Sequence, residues 1–218
     1  MSLCEPYRRG ADPEVSTRGL RQATPGRVLF FAVLDPRWGI GGLRRAEAAL
    51  SDPQCVGIKI HPSFHEIAAD DEAYAPVYEL AERTRAPILT HSWDISPTNP
   101  VQHLSFPERF RCHLAAHPSV TLVLGHAGGR PGAMKAVVGL CRDYPNVCVD
   151  LAGDYYDNGL VECLVDRIGA ERVVFGSDLN WIDPRANLAP VLAAAIPDED
   201  VLRILRTNAL RVYGRAST

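Results

Sequence analysis

Six short apolar runs, separated by longer amphipathic stretches, constrain this chain more than any other feature of its sequence. The runs are Val28–Leu34, Val56–Ile60, Pro87–Thr90, Val120–Leu124, Val147–Leu151 and Arg172–Phe175. Most are apolar on both faces instead of alternating, as a parallel strand must be when both of its sides are covered. The stretches between them carry helical spacing: Gly42–Leu50, Asp71–Arg85, Pro107–Ala116, Ala133–Tyr144, Leu160–Ile168, Ala186–Ala195 and Glu199–Tyr213. The acidic start of the second, Asp71 followed by Glu72, suits the positive end of a helix dipole, and Pro107 suits a first helical position. Repeated strand–helix alternation requires right-handed crossovers and a parallel sheet.

Two architectures satisfy that pattern, an open doubly wound sheet and a closed (β/α)8 barrel. The first ordinarily carries a glycine-rich phosphate turn after an early strand. Gly39–Gly42 (GIGG) follows the first run but lacks the required spacing. The barrel places polar, reactive residues just beyond the C-terminal ends of several strands. That is where they fall here: His61 after VGIKI, with Lys59 inside the run; His91 and Trp93 after PILT; His126 after VTLVLG; Asp150 at the end of VCVD; Asp178, Asn180 and Trp181 after RVVFGS. The fold expected is therefore an α/β, TIM-type (β/α)8 barrel. Only six strands are visible where eight are required, so the barrel is read as incomplete, with the first two strands missing. A polar segment, residues 1–24, is expected to precede a barrel domain over 25–218.

Composition narrows the function classes. The chain has 218 residues, 46% hydrophobic and 22% charged, with a formal net charge of −3. It can bury a full core, and no basic run marks a nucleic-acid surface. No apolar stretch is long enough to span a bilayer, and the first residues lack the apolar core of a secretory signal. The six scattered cysteines, without a CxxC pair, read as reduced thiols of a cytoplasmic protein.

In a barrel, those strand ends converge on one mouth. Imidazoles and a carboxylate gathered there suit a divalent metal, Zn2+ first and Mn2+ as the alternative, whose bound water becomes a nucleophile near neutral pH. Each residue also has a plainer role. A single histidine at a strand end is ordinarily a hydrogen-bonded structural group. His103, His113 and His117 are expected to face solvent. His65 is either a second mouth residue or an exposed loop side chain. Lys59 lines the interior or reaches toward the mouth, Trp93 and Trp181 serve packing or a substrate platform, and Arg130 binds a carboxylate or sits in solvent.

The motifs GIKIHP (57–62), PILTHS (87–92), LVLGHAGG (122–129), PNVCVD (145–150), VVFGSD (173–178) and NALRVYG (208–214), in that order, resemble the amidohydrolase-related family of metal-dependent TIM barrels. The stretch PGRVLFFAVLDP (25–36) resembles that family's third strand. The resemblance implies that His91 and Asp178 bind metal, with His61 as a further candidate ligand. It implies that His126 and Asp178 are catalytic, passing protons. Lys59, His61, Trp93, Arg130, Asn180 and Trp181 are the candidate substrate contacts. It implies a hydrolase acting on a small carboxylated molecule, or alternatively a carboxy-lyase. The sequence departs from the family in one respect: it has no H-x-H, the first-strand motif that supplies two metal ligands. It therefore reads as a fragment or a misplaced start, as a natural short barrel recruiting His61 and His65, or as an inactive barrel serving as a binding or assembly module. Unpaired edges of an unclosed barrel invite a homodimer.

Overall fold

The computed structural model describes residues 19, 21–24, 27–179 and 181–214. All six apolar runs form strands: β1 Phe30–Val33, β2 Cys55–Ile60, β3 Ile88–His91, β4 Leu122–Gly125, β5 Val147–Asp150 and β6 Val173–Val174. They pair in parallel in the unbroken order β1-β2-β3-β4-β5-β6. A doubly wound sheet reverses direction at a switch point; this one does not. Sequential parallel order is that of a barrel wall, here an open one of six strands.

The helices pack on one side of that wall. They are α1 Gly39–Leu50, α2 Ala75–Thr84, α3 Arg111–Ala116, α4 Met134–Asp143, α5 Leu160–Ile168, α6 Pro184–Ala193 and α7 Asp198–Leu202. The chain then passes through a π turn, Arg203–Thr207, into α8 Asn208–Tyr213. Ile58, Ile88, Leu122 and Val149 point outward and meet Val77, Leu80, Val137, Leu140 and Leu164 of the helices in the main core. A second, smaller core lies on the inner face: Leu89, Val123 and Cys148, with Phe31 and, from α8, Val212 and Tyr213. Burial on both faces accounts for strands that read as continuous apolar runs.

Element boundaries shifted where tertiary contacts outweigh local spacing. The stretch expected as one helix from Pro107 is a 3₁₀ turn, Pro107–Phe110, followed by α3. The last expected helix contains the π turn, where the Phe175 N–H donates to Ile204 O at 2.9 Å, so the turn carries the chain across β6. Arg21 lies 4.4 Å over the Phe30 ring and its side chain bonds Asp52 and Gln54, covering part of the β1 edge. The five described cysteines are free thiols, and among the described residues no helix is long and apolar enough to cross a membrane.

Candidate active site

Register brings the strand ends to one place. His91 closes β3, and Gly125, its partner across the β3–β4 ladder, is followed by His126. His61 follows β2 and caps the helical turn Pro62–His65, its Nδ1 accepting the Phe64 N–H at 3.3 Å. The His61 and His91 rings are stacked, 3.9 Å apart and 10° from parallel, and Trp93 continues the stack 5.5 Å from His91. The Arg130 guanidinium lies 4.8 Å from the Trp93 ring and pairs with Asp154 at 3.0 Å. His126 stands edge-on to both His91 and Trp93, at 4.9 and 5.3 Å.

His126 is held by its backbone. Its N–H donates to Asp150 Oδ1 at 2.8 Å, and the same oxygen accepts the Ala152 N–H. Its own φ is 64°, and that of Asp178 is 50°. Left-handed backbone at residues other than glycine is strain that the surroundings must maintain, and it gathers at functional sites. Glycine is required beside the ring: a Cβ on Gly153 would lie 2.6 Å from His126 Nδ1. That Nδ1 is buried and has no hydrogen-bond partner. The nearest counter-charge is Asp178 Oδ2 at 3.7 Å, too long for a direct bond.

The other two imidazoles each engage a neighbour through one ring nitrogen. His91 Nε2 donates to Gln102 Oε1 at 2.8 Å. Ser63 Oγ donates to the same oxygen at 3.1 Å, and Ser105 Oγ lies 2.6 Å from Ser63 Oγ. Burial pushes His61 and His91 well below the ordinary imidazole value, and neighbouring positive charge, including that of Lys59, adds to the displacement. Both therefore rest neutral.

Below the mouth, an open cavity of about 530 Å³ runs into the wall's inner face. His126, Asp150, Ser177, Asp178, Arg206 and Lys59 are its polar lining, and apolar side chains of β1, β2, β6 and α8 line much of the rest. Trp181 sits on its rim, 72% exposed.

His61, His91, Trp93, Arg130, His126 and Asp178 are thus brought together, and Lys59 opens into the same cavity. Arg130 is paired with Asp154 in an ion pair whose two side chains are both partly exposed. Asn180 lies outside the described residues. His65 is not at the mouth: it is fully buried, with Nδ1 2.7 Å from the Tyr74 hydroxyl. His113, expected in solvent, is buried, stacked on Tyr78 at 4.7 Å and bonded through Nε2 to Asp71 O. His117 is half-buried and pairs with Glu82, while His103 is exposed as expected. Gln102, Ser63 and Ser105 have no sequence signal, and Tyr213 lies in the NALRVYG motif without any role assigned to it there; the fold reveals where they act.

The donor set does not complete a metal site. Among the described residues, no three His, Cys, Asp or Glu side chains are placed to hold a metal ion. His91 and His61 each have one ring nitrogen engaged, Nε2 with Gln102 Oε1 and Nδ1 with the Phe64 amide, and the unpartnered His126 Nδ1 lies 3.7 Å from the Asp178 carboxylate.

Residues 12–215 match the amidohydrolase family. No curated protein matches the sequence. Among solved structures, an uncharacterized TIM-barrel protein from Bordetella bronchiseptica superposes with a TM-score of 0.76 at 16% identity, over 92% of this chain and 73% of that one. A 5-carboxyvanillate decarboxylase from Sphingomonas paucimobilis gives 0.71 at 16% identity, over 98% and 77%. A dihydroxybenzoic acid decarboxylase from Polaromonas, with manganese and the inhibitor 2-nitroresorcinol bound, gives 0.72 at 18% identity, over 93% and 75%. At these identities the likeness is one of fold, an incomplete version of the neighbours' barrel.

Proposed function

The chain belongs to the amidohydrolase family, and from that premise we propose that its cavity takes a small carboxylated molecule and acts on it as a carboxy-lyase, with His126 and Asp178 moving the proton. The observation that carries the reading is the unpartnered, buried His126 Nδ1 facing a carboxylate at 3.7 Å. A buried nitrogen without a partner is costly unless a guest or a proton completes it. In decarboxylation, the bond to the carboxyl carbon breaks and CO2 leaves. The electron pair stays on the substrate carbon and takes a proton from the His126 imidazolium. Asp178 balances that cation before the transfer, and solvent returns the proton.

Lys59, lining the cavity, offers a charge for a carboxylate. Decarboxylases recur among the structural neighbours, and the manganese in one of them makes added metal a variable of the assay. Hydrolysis, in which the same pair would take a proton from water, is the reading the sequence put first.

The test is a panel of aromatic and aliphatic carboxylates, amides and lactones, incubated with the protein in Mn2+, in Zn2+ and in chelator, with CO2 and hydrolysis products measured separately. CO2 release that falls by about 10²–10⁴-fold in His126→Ala supports the proposal. Hydrolysis products without CO2 move the protein to the hydrolytic branch. Turnover unchanged in His126→Ala removes the proton-transfer role from this pair.

A further inference from the structure

A second cavity, of about 280 Å³, lies on the helix side of the wall, between the loop after β5, the start of α5 and α6. Asp150 and Ala152 line the inner cavity, while Leu151, between them, lines this one; the two share no lining residue. From α6 come Asn187, Pro190, Val191 and, just past its end, Ala194, spaced as one helix face.

Asn187 is 3% exposed. Its Nδ2 donates to Leu151 O at 2.9 Å and to Gly153 O at 2.8 Å, and those two bonds fix which way round the amide sits. The oxygen is left over. Asn187 Oδ1 is buried, and among the described residues nothing donates to it. A buried acceptor without a donor is costly until one arrives.

The surroundings carry one sign. The charged residues of the lining are Asp157 and Glu162. Glu162 Oε1 accepts the Ala195 N–H at 2.9 Å, which ties its carboxylate to the end of α6. That end lies at the cavity, through Ala193 and Ala194, and the last turn of α6 holds no basic side chain to balance the negative end of the helix dipole. The positive end of α5 also reaches the cavity, and Glu162 in its first turn offsets it. The Arg130 guanidinium acts on Asp157 and Tyr155 from outside the lining, and Asp154 holds it at 3.0 Å. Tyr155 and Tyr156 add two phenol rings, a surface that suits a cation with an apolar body, and Val161 and Val191 add a buried apolar floor.

We infer that this cavity binds a small organic ammonium ion, one N–H donating to Asn187 Oδ1 in the field of Asp157 and Glu162, and the apolar body against the tyrosines and Val191. A volume just under the usual range of about 300–1,000 Å³ for small-molecule pockets suits an arylalkylamine. An alcohol of the same shape supplies the hydrogen bond without the charge. A carboxylate supplies the wrong charge.

The test uses the full chain with phenethylamine, phenethyl alcohol and hydrocinnamate, followed by titration calorimetry and by nitrogen–proton NMR of the Asn187 side-chain amide. Phenethylamine is expected to bind about tenfold tighter than the alcohol and to move the Asn187 signal; hydrocinnamate is expected to do neither. Asn187 itself stays unaltered, because its bond to Gly153 supports the residue packed on the His126 ring. Asp157→Asn combined with Glu162→Gln is expected to weaken phenethylamine about fivefold, the loss of two partly exposed charge contacts. Ala193→Lys, at an exposed position of the lining, sets a tethered ammonium at the end of α6 and is expected to weaken it about tenfold or more.

Equal affinity for the amine and the alcohol overturns the proposal, since the cavity would then read only a donor. So does an Asn187 signal that phenethylamine leaves in place. Amine binding undiminished in both variants overturns it as well, by placing the guest elsewhere on the protein.

Discussion

Lowering the pH from 7 to 5 is expected to cost the fold about 2 kcal/mol through His65 alone. His65 is fully buried against the Tyr74 hydroxyl. Burial pushes its imidazole down to about 4, against a weaker upward pull from Asp35. In the unfolded chain the same group titrates near its ordinary value of about 6.5. Between those two values the unfolded chain binds a proton that the folded chain refuses, so stability is present above about 6.5 and is lost as the pH falls toward 4. The full displacement corresponds to about 3 kcal/mol, of which about 2 has developed by pH 5. His61 and His91 are displaced in the same direction and steepen the same limb. Asp35 lies outside this window: although burial opposes it, the Arg37 hydrogen bonds hold its carboxyl below the ordinary value, so its contribution is lost only in stronger acid. The assay is urea unfolding followed by circular dichroism at pH 7, 6 and 5, for the native chain and His65→Gln. The variant is expected to be less stable at pH 7, and its loss between pH 7 and 5 to be smaller by about 2 kcal/mol. An identical pH slope in the two proteins would refute the argument.

Three substitutions probe the geometry elsewhere. Gly129→Ala sets a Cβ into the Trp93 indole at a residue with φ 73°, so it should cost about 2 kcal/mol or more in chemical unfolding and shift the tryptophan emission; an unchanged spectrum would contradict the packing described. Gln102→Leu removes the acceptor of His91 Nε2, and nitrogen NMR should show His91 leaving its single tautomer, with a stability loss of about 1–2 kcal/mol; a His91 spectrum unaffected by the change would dissociate the pair. Asn208→Ala breaks bonds to Ala170 O at 2.7 Å and Val173 O at 2.8 Å that fasten α8 to β6, so it should cost about 2 kcal/mol in thermal or urea unfolding, and a loss near zero would show the helix is held by its apolar contacts alone.

The wall of this fold was legible because both faces of each strand are buried, which writes burial directly into the sequence as unbroken apolar runs. The position of the mouth was legible for the same reason: where a run stops, the chain has left the core. His61, His91, His126 and Asp178 were found in that way. What escaped depends on contacts between distant segments. His113 was expected in solvent, and it is buried by Tyr78 of α2, with Tyr74 and the Asp71 carbonyl beside it. Gln102 reaches His91 because a 3₁₀ segment, Pro100–Ser105, folds back over β3. Tyr213 enters the inner core because α8 follows a π turn across β6, a register that no local propensity specifies.

The column at the mouth has an optical consequence. Trp93 carries an imidazole on one side and a guanidinium near its ring. The emission of an indole depends on the charge and polarity of whatever touches it, and His91 is kept uncharged by its burial. Trp93 is thus a native fluorophore at the mouth, whose emission is expected to respond when the charge of the groups stacked on it changes.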